Sequence, residues 1–337
     1  VTKRDWDEDD VRIRPSRRKS RPRSKERPDH AQAERATVTA VDRGRFRVLT
    51  DDGRVLNTIK ARELGRKGVV VGDGVWLVGD TSSHDDALAR IIRIDPRRTS
   101  LRRTADDTDS VERIIVANAD QLGIVTSIAD PEPNTRLIDR ALVAAYDSGV
   151  SPLLIITKTD LADSHELLLA YEALSVPFIT LARDEDTHVH DPADLAVLRN
   201  QLTGRITVLM GPSGVGKSTL VNALVPGATR STGVVNEVTG RGRHTSTSAI
   251  ALPLPDGGWI IDTPGVRSFG LAHVSTDAIV RSFDDLTPGI ADCPRGCSHD
   301  ESACGLDAFV AGNPYLTSRL DSLRRVLASR STSVEDS

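Results

Sequence analysis

Gly211-Pro212-Ser213-Gly214-Val215-Gly216-Lys217-Ser218, with Thr219 behind it, decides the fold. It matches G-x-x-x-x-G-K-[ST]. Ile206-Thr207-Val208-Leu209-Met210 reads as a buried strand before it, and Thr219 to Leu224 opens an apolar helix after it. The glycines let the backbone curl so that successive N–H groups face phosphate oxygens, and the helix adds its positive N-terminal end. Lys217 is expected to reach the β- and γ-phosphates and so to act in catalysis, and the Ser218 hydroxyl to bind Mg²⁺. A chance glycine-rich turn is the bland alternative, and the flanking strand and helix argue against it.

Two further elements sit on either side of this loop. Asp262-Thr263-Pro264-Gly265 follows the apolar run Trp259-Ile260-Ile261. A carboxylate at a strand end can hold Mg²⁺, and the Gly265 N–H can sense a γ-phosphate. Thr157-Lys158-Thr159-Asp160 follows Leu153-Leu154-Ile155-Ile156 and resembles the N-K-x-D element that reads guanine. Asp160 would accept from the purine N1–H and 2-amino group, and adenine offers neither donor. The Lys158 stem would lie on the base. Thr157 stands where the usual element has Asn. The base-reading element precedes the phosphate loop, the reverse of the ordinary order, and the sheet can still close identically if the chain is circularly permuted.

Strands alternate with helices through this region: Ile114–Val116, Leu122–Val125, the helix Thr135–Asp147, the strand Leu153–Ile156 and the candidate helix Leu161–Leu174. That texture implies a parallel sheet covered on both faces. Upstream, Ala36 to Ile94 holds about five short runs of alternating or continuous β character, broken by turn signals at Asp51-Asp52-Gly53 and Gly72-Asp73-Gly74. These suggest a small barrel, an OB-fold, which either binds nucleic acid or serves as structure. The polar stretch Asp95 to Glu112, with Arg97, Arg98, Arg102 and Arg103, reads as a basic linker.

The 337 residues carry a net charge of -4, distributed unevenly. Residues 1–33 hold 11 Lys/Arg against 7 Asp/Glu, and Arg12 to Arg27 carries nine basic residues against one Glu. With almost no apolar side chains this tail is expected to be disordered, either an arm that touches phosphates or a solvated extension. No run approaches the ~18 apolar residues of a membrane span, and no apolar segment follows the first residues, so neither membrane insertion nor secretion is expected. Three cysteines make no disulfide framework and point to a reducing compartment. All three lie together with a histidine: Cys293, Cys297, His299 and Cys304. Three thiolates and an imidazole form a closed tetrahedral set suited to one structural Zn²⁺, with redox chemistry as the rival reading. Ser275–Leu286 and Tyr315–Ala328 read as flanking helices.

With Asn118-Ala119-Asp120-Gln121 and Gly242-Arg243-His244-Thr245-Ser246-Thr247 added to these elements, the chain over about residues 36–325 resembles the circularly permuted, ribosome-small-subunit-dependent GTPase A family of bacteria. The resemblance implies a multidomain protein. A disordered basic tail (1–33) would precede an OB-fold barrel (34–96), a circularly permuted α/β P-loop GTPase domain (97–272) and a mostly helical zinc-binding domain (273–337). It implies a GTPase in late maturation of the small (30S) ribosomal subunit, stimulated by that subunit. The expected partners are GTP/GDP and the subunit with its rRNA. A cytoplasmic monomer is expected. Val266 follows Gly265 where many GTPases place a water-orienting Gln, and an apolar side chain cannot align that water. The family carries His-Thr-Thr-Thr where this chain has His244-Thr245-Ser246-Thr247. His244 is therefore the candidate to orient the water, and Thr245 or Thr247 to contact Mg²⁺. An RNA- or solvent-facing loop histidine is the alternative. A nucleotide-gated binding module and a small-molecule phosphotransferase are the rival functions, and the base-reading and switch elements argue against the second.

Overall fold

The computed structural model describes residues 33–42, 44–65, 68–82, 89–104, 112–172, 174–184, 189–225, 249–263, 276–281, 283–301 and 303–331. The basic tail lies outside them. From Glu34 onward the chain forms one compact unit.

Five strands open it: β1 (Glu34–Asp42), β2 (Arg45–Thr50), β3 (Val55–Lys60), β4 (Gly74–Gly79) and β5 (Ala89–Ile94). They pair in the order β1-β2-β3-β5-β4, and β4 returns to β1, so the barrel closes as in an OB-fold. Alternate residues fill it: Ala36, Val38, Phe46, Val48, Leu56, Val75, Leu77, Ala89 and Ile91 are buried. The polar segment after the barrel is not all linker. β6 (Ser100–Thr104) pairs antiparallel with β7 (Glu112–Ala117) in a separate two-stranded ribbon. Leu101 and Val116, opposite each other and fully buried, carry that pairing, and the arginines around Leu101 hide it from a reading of composition.

The main sheet continues through β8 (Gln121–Ser127), α1 (Thr135–Asp147), β9 (Ser151–Thr157), α2 (His165–Glu172), β10 (Phe178–Leu181), α3 (Pro192–Leu202), β11 (Ile206–Met210), α4 (Lys217–Leu224), β12 (Ile250–Pro253) and β13 (Trp259–Asp262). Its order is β10-β9-β8-β11-β13-β12, parallel except for β12. The expected helix from Leu161 starts only at His165, because Lys158 to Leu161 closes a turn, Leu161 N–H donating to the Lys158 carbonyl.

The period of two along each strand sorts the core into two faces. Leu122, Ile124, Leu154, Ile156, Val208, Met210 and Ile261 face α1, α2 and the C-terminal helices. Val125, Leu153, Ile155, Leu209 and Ile260 face α3 and α4. The C-terminal region contributes α5 (Thr276–Val280), a 3-10 turn (Thr287–Asp292), α6 (Gly305–Val310) and α7 (Pro314–Ser331). Helix α5 is shorter than the run Ser275–Leu286 suggested: Phe283 N–H and Leu286 N–H close successive turns instead. Helix α7 docks on α1 and α2 through Arg325, which meets the buried carboxylate of Asp139 at 3.2 Å and stacks over Tyr171.

Barrel and main sheet are one ladder. Ala40 of β1 pairs antiparallel with Ile250 of β12. Asn118, at φ 57, ties the other flank: its side-chain amide donates to the Gly72 carbonyl at 2.8 Å and its Oδ1 accepts from Arg98 N–H. Gly72 must be glycine, since a Cβ there would sit 2.0 Å from the Ala117 carbonyl oxygen. Arg97 forks onto the fully buried Asp73 at 2.7 and 2.8 Å. Arg97→Ala would leave that carboxylate buried without its charge partner. Urea denaturation is expected to show a loss of about 3 kcal/mol, and a loss below a few tenths would mean that solvent already serves Asp73.

Candidate functional site

The carboxyl ends of β8, β9, β10, β11 and β13 fall on one edge of the sheet, where open parallel sheets bind ligands. That edge receives Ser127, Thr157, Leu181, Met210 and Asp262 in adjacent positions.

The phosphate loop leaves β11 with Gly211 pressed on β8. A Cβ on Gly211 would lie 2.1 Å from the Val125 carbonyl oxygen. Gly214 and Gly216 hold φ of 86 and 89, and Gly216 caps α4 from the left-handed region. Val215 between them is buried in the core below. Lys217 curls back over the loop, its ammonium donating to the Gly211 and Pro212 carbonyls at 2.6 and 2.7 Å. Burial lowers the Lys217 pKa while Asp262 opposes the shift. The Asp262 carboxyl is raised by burial, with Lys217 opposing. Lysine and carboxylate thus each feel the other's charge at the end of the loop. Thr263, buried, donates to the Leu209 carbonyl at 2.9 Å and fixes the end of β13 against β11. Ser218 and Thr219 stand exposed on the first turn of α4.

Thr157 to Asp160 lies beside this loop. The Thr157 hydroxyl donates toward the Val215 carbonyl at 2.7 Å and has the Thr126 carbonyl at 3.2 Å. Lys158 sits at φ 59, is buried, and its ammonium contacts the Asp130 carbonyl. Asp160 accepts from the Arg183 N–H at 2.9 Å through Oδ1. Asp262, Lys217 and the 157–160 element therefore converge on one edge. His244, Thr245, Thr247 and Gly265 lie outside the described residues.

Two walls of this edge were not legible in the residues alone. The segment Asp130–Pro131 packs against the phosphate loop: Pro131 Cδ is 3.5 Å from where a Gly214 Cβ would stand, and the Ser127 hydroxyl donates to the Pro131 carbonyl. The segment after β10 supplies Ala182 and Arg183, with buried His190 paired to Arg183 behind Asp160. Burial pushes the His190 pKa down. Pro177 directly before the short strand Phe178–Leu181 was the one available signal for the second wall.

The cysteine cluster assembles as expected from its spacing. The ligand atoms of Cys293, Cys297, His299 and Cys304 all lie within 4.8 Å of one another. Cys293 Sγ is 3.8 Å from Cys304 Sγ and 3.7 Å from His299 Nδ1, and Cys304 Sγ is 3.8 Å from the same nitrogen. Thiolate ligands at about 2.3 Å around a tetrahedral centre stand about 3.8 Å apart, so the separations among Cys293, His299 and Cys304 match a metal site and Cys297 stands close enough to complete it. His299 takes φ 67, and Arg324 donates to its carbonyl at 2.8 Å, which anchors the knuckle to α7.

A family model described as RsgA GTPase matches residues 94–272. A protein of Pseudomonas aeruginosa (strain UCBPP-PA14) called small ribosomal subunit biogenesis GTPase RsgA is 37% identical over 270 residues, covering 77% of this chain and 76% of that protein. One of the same name from Ectopseudomonas mendocina is 38% identical over 242 residues, covering 69% and 68%. Among solved structures, YjeQ from Thermotoga maritima superposes with a TM-score of 0.62 at 23% identity, covering 88% of this chain and 98% of its own. YloQ, described as a circularly permuted GTPase, gives 0.62 at 22% identity, covering 90% and 97%. These two likenesses speak for the fold.

Gly211→Ala tests the site geometry. The clash with the Val125 carbonyl forces the phosphate loop off its place while the cores on both faces stay filled. Affinity for a fluorescent GDP analogue is expected to fall about a hundredfold or more, with far-ultraviolet circular dichroism unchanged. Wild-type affinity would mean the loop tolerates the shift.

Proposed function

The chain belongs to the RsgA GTPase family, and on that premise we propose that it binds GTP across this edge and acts in maturation of the small ribosomal subunit, with hydrolysis as its release step. The observation that carries the reading is the convergence of Lys217, Asp262 and the Thr157–Asp160 element, from three separate parts of the chain, on one edge. The phosphates lie over the N–H groups of Ser213 to Thr219, with Lys217 on the β- and γ-oxygens. The base lies between the Lys158 stem and Asp160. Ser218 and Asp262 would hold Mg²⁺, which when bound offsets charge on the β- and γ-phosphates. The half-burial of Asp262 beside Lys217 suits that role, because a second cation relieves a carboxylate that burial disfavours. We place His244 as the group that orients the attacking water, since Val266 cannot, with Thr245 or Thr247 contacting Mg²⁺ and the Gly265 N–H at the γ-phosphate.

In this reading the chain divides into a tail (1–33), an OB-fold (34–96), the permuted GTPase domain (97–272) and a zinc-binding domain (273–337). Cys293, Cys297, His299 and Cys304 hold one structural Zn²⁺, the ion that three thiolates and an imidazole at tetrahedral spacing favour. The barrel offers exposed Arg45, Arg47, Arg90 and Arg93, the last stacked over Trp76 at 4.3 Å, as a basic face for rRNA phosphates. The protein works as a cytoplasmic monomer. Among the described residues no helix is long and apolar enough to cross a membrane.

GTP turnover measured with and without purified small subunits, with ATP as control, tests the function. Subunit-dependent stimulation specific to GTP is expected, and His244→Ala is expected to keep GTP binding while losing the stimulation. Equal turnover with and without subunits would refute the assignment. For the metal, chelation by a high-affinity zinc chelator is expected to release one Zn²⁺ per chain and to lower the melting temperature. Zinc-free protein with an unchanged melting temperature would overturn the structural site.

A further inference from the structure

We propose, on the nucleotide and metal assignments given above, that Arg325 is a positioning residue that couples the cysteine knuckle to the nucleotide edge, so that filling one site tightens binding at the other.

Neighbouring residues of α7 grip different parts of the chain. Arg324 donates to the His299 carbonyl at 2.8 Å and to the Asp307 carboxylate of α6 at 2.9 Å. His299 belongs to the metal-ligating set and stands at φ 67, so its carbonyl moves with that set. Arg325 grips the nucleotide-binding part instead. Its Nε is 3.2 Å from Asp139 Oδ2 of α1, a terminal nitrogen donates to the Ala170 carbonyl of α2 at 2.9 Å, and the guanidinium lies 4.9 Å from the Tyr171 ring centre. Leu320, Leu323 and Val326 of the same helix share one buried core with Ile138 and Leu142 of α1. Both grips sit on one turn of α7, so a displacement of the knuckle is a displacement of Arg325.

Asp139 carries the constraint toward the nucleotide edge. It follows Thr135 by four residues and shares its face of α1. Its side chain is 4% exposed, its Oδ1 accepts no hydrogen bond among the described residues, and Arg325 opposes the burial that raises its pKa. The Tyr171 hydroxyl, on the ring under the same guanidinium, donates to the Thr135 carbonyl at 3.2 Å. Two holds four residues apart thus fix where the first turns of α1 stand. Asn134 caps that helix through Leu137 N–H. Just before the cap lie Asp130, whose carbonyl takes the Lys158 ammonium, and Pro131, which faces Gly214 of the phosphate loop. Helix α1 is the rigid piece between α7 and this wall. A buried charge that loses its partner is left uncompensated, so the Arg325–Asp139 contact is kept or lost as a whole. It gives the fold two discrete arrangements rather than a continuous slide, which is what coupling between distant sites requires.

The full zinc-loaded chain would be competed against a graded zinc chelator with and without saturating GDP, and GDP would be titrated onto the same zinc-loaded chain. In the wild type, GDP is expected to raise the apparent zinc affinity about tenfold, within the usual range for coupled sites. Arg325→Gln is expected to abolish that rise and to weaken GDP binding by a matching factor, because linkage is reciprocal. Asp139→Asn combined with Arg325→Gln leaves no carboxylate buried alone, and is expected to stay folded by far-ultraviolet circular dichroism and to show the same two losses.

A GDP effect on zinc retention that survives in the doubly substituted chain overturns the proposal. So does weakened GDP binding in that chain with the effect on zinc intact, since a residue that merely supports the fold would act in that way. A wild-type chain that binds both GDP and zinc, with zinc retention indifferent to GDP, fails this inference alone. A wild-type chain that binds no GDP or no zinc fails the assignments beneath it, and the coupling with them.

Discussion

Strand β11 takes its hydrogen bonds from two neighbours that lie far apart in sequence. Thr207 to Met210 run beside Gln121 to Ile124 of β8, and Ile206 to Leu209 run beside Trp259 to Asp262 of β13. Asp120 pins the start of the strand by accepting from Ile206 N–H at 2.8 Å, and the Thr207 hydroxyl donates to Gln121 Oε1 in the buried centre. Everything at the nucleotide edge depends on this placement. The loop after β11 can meet the base-reading element only because β8 and β9 lie on one side, and it can meet Asp262 only because β13 lies on the other. The order of segments along the chain is free to change so long as this three-strand register survives.

The register also imposes close approaches that only small residues satisfy. Gly123 in β8 sits where a Cβ would meet the Leu209 side chain at 2.7 Å, and Gly211 sits against the Val125 carbonyl. Both lie on the contact between β8 and β11, one within the strand and one just past its end. The electrostatics follow from the same geometry. Lys217 and Asp262 each shift in the direction burial dictates, and each is held back by the other.

Much of this was legible in the sequence, and what was not follows a pattern. The glycine-rich loop after β11, the helix Thr135–Asp147 and the Cys/His cluster that could hold a metal ion are local signals in which residue types at fixed spacing carry their own physics. The misses are long-range. The pairing of Ala40 with Ile250 has no local signature, because β12 is four residues long and its partner lies in another region. Leu101 was lost among arginines, although its burial against Val116 makes a strand of that stretch. The walls at Asp130–Pro131 and Ala182–Arg183 are loops whose value comes only from what they face. The role of the Thr157 hydroxyl was equally invisible, since the carbonyls it meets belong to Val215 and Thr126, 58 and 31 residues away.

The Ala40–Ile250 junction has a consequence for biosynthesis. The barrel strands are all synthesised by Ile94, yet Ala40 of β1, paired with Arg47 on one side, has no ladder partner on its other side until residue 250 leaves the ribosome. At about 5–20 residues per second the wait is on the order of 8–30 s. During that interval β1 presents an unfilled backbone edge beside a finished barrel, so the first strand of the chain is completed only by one of the last two strands to be made.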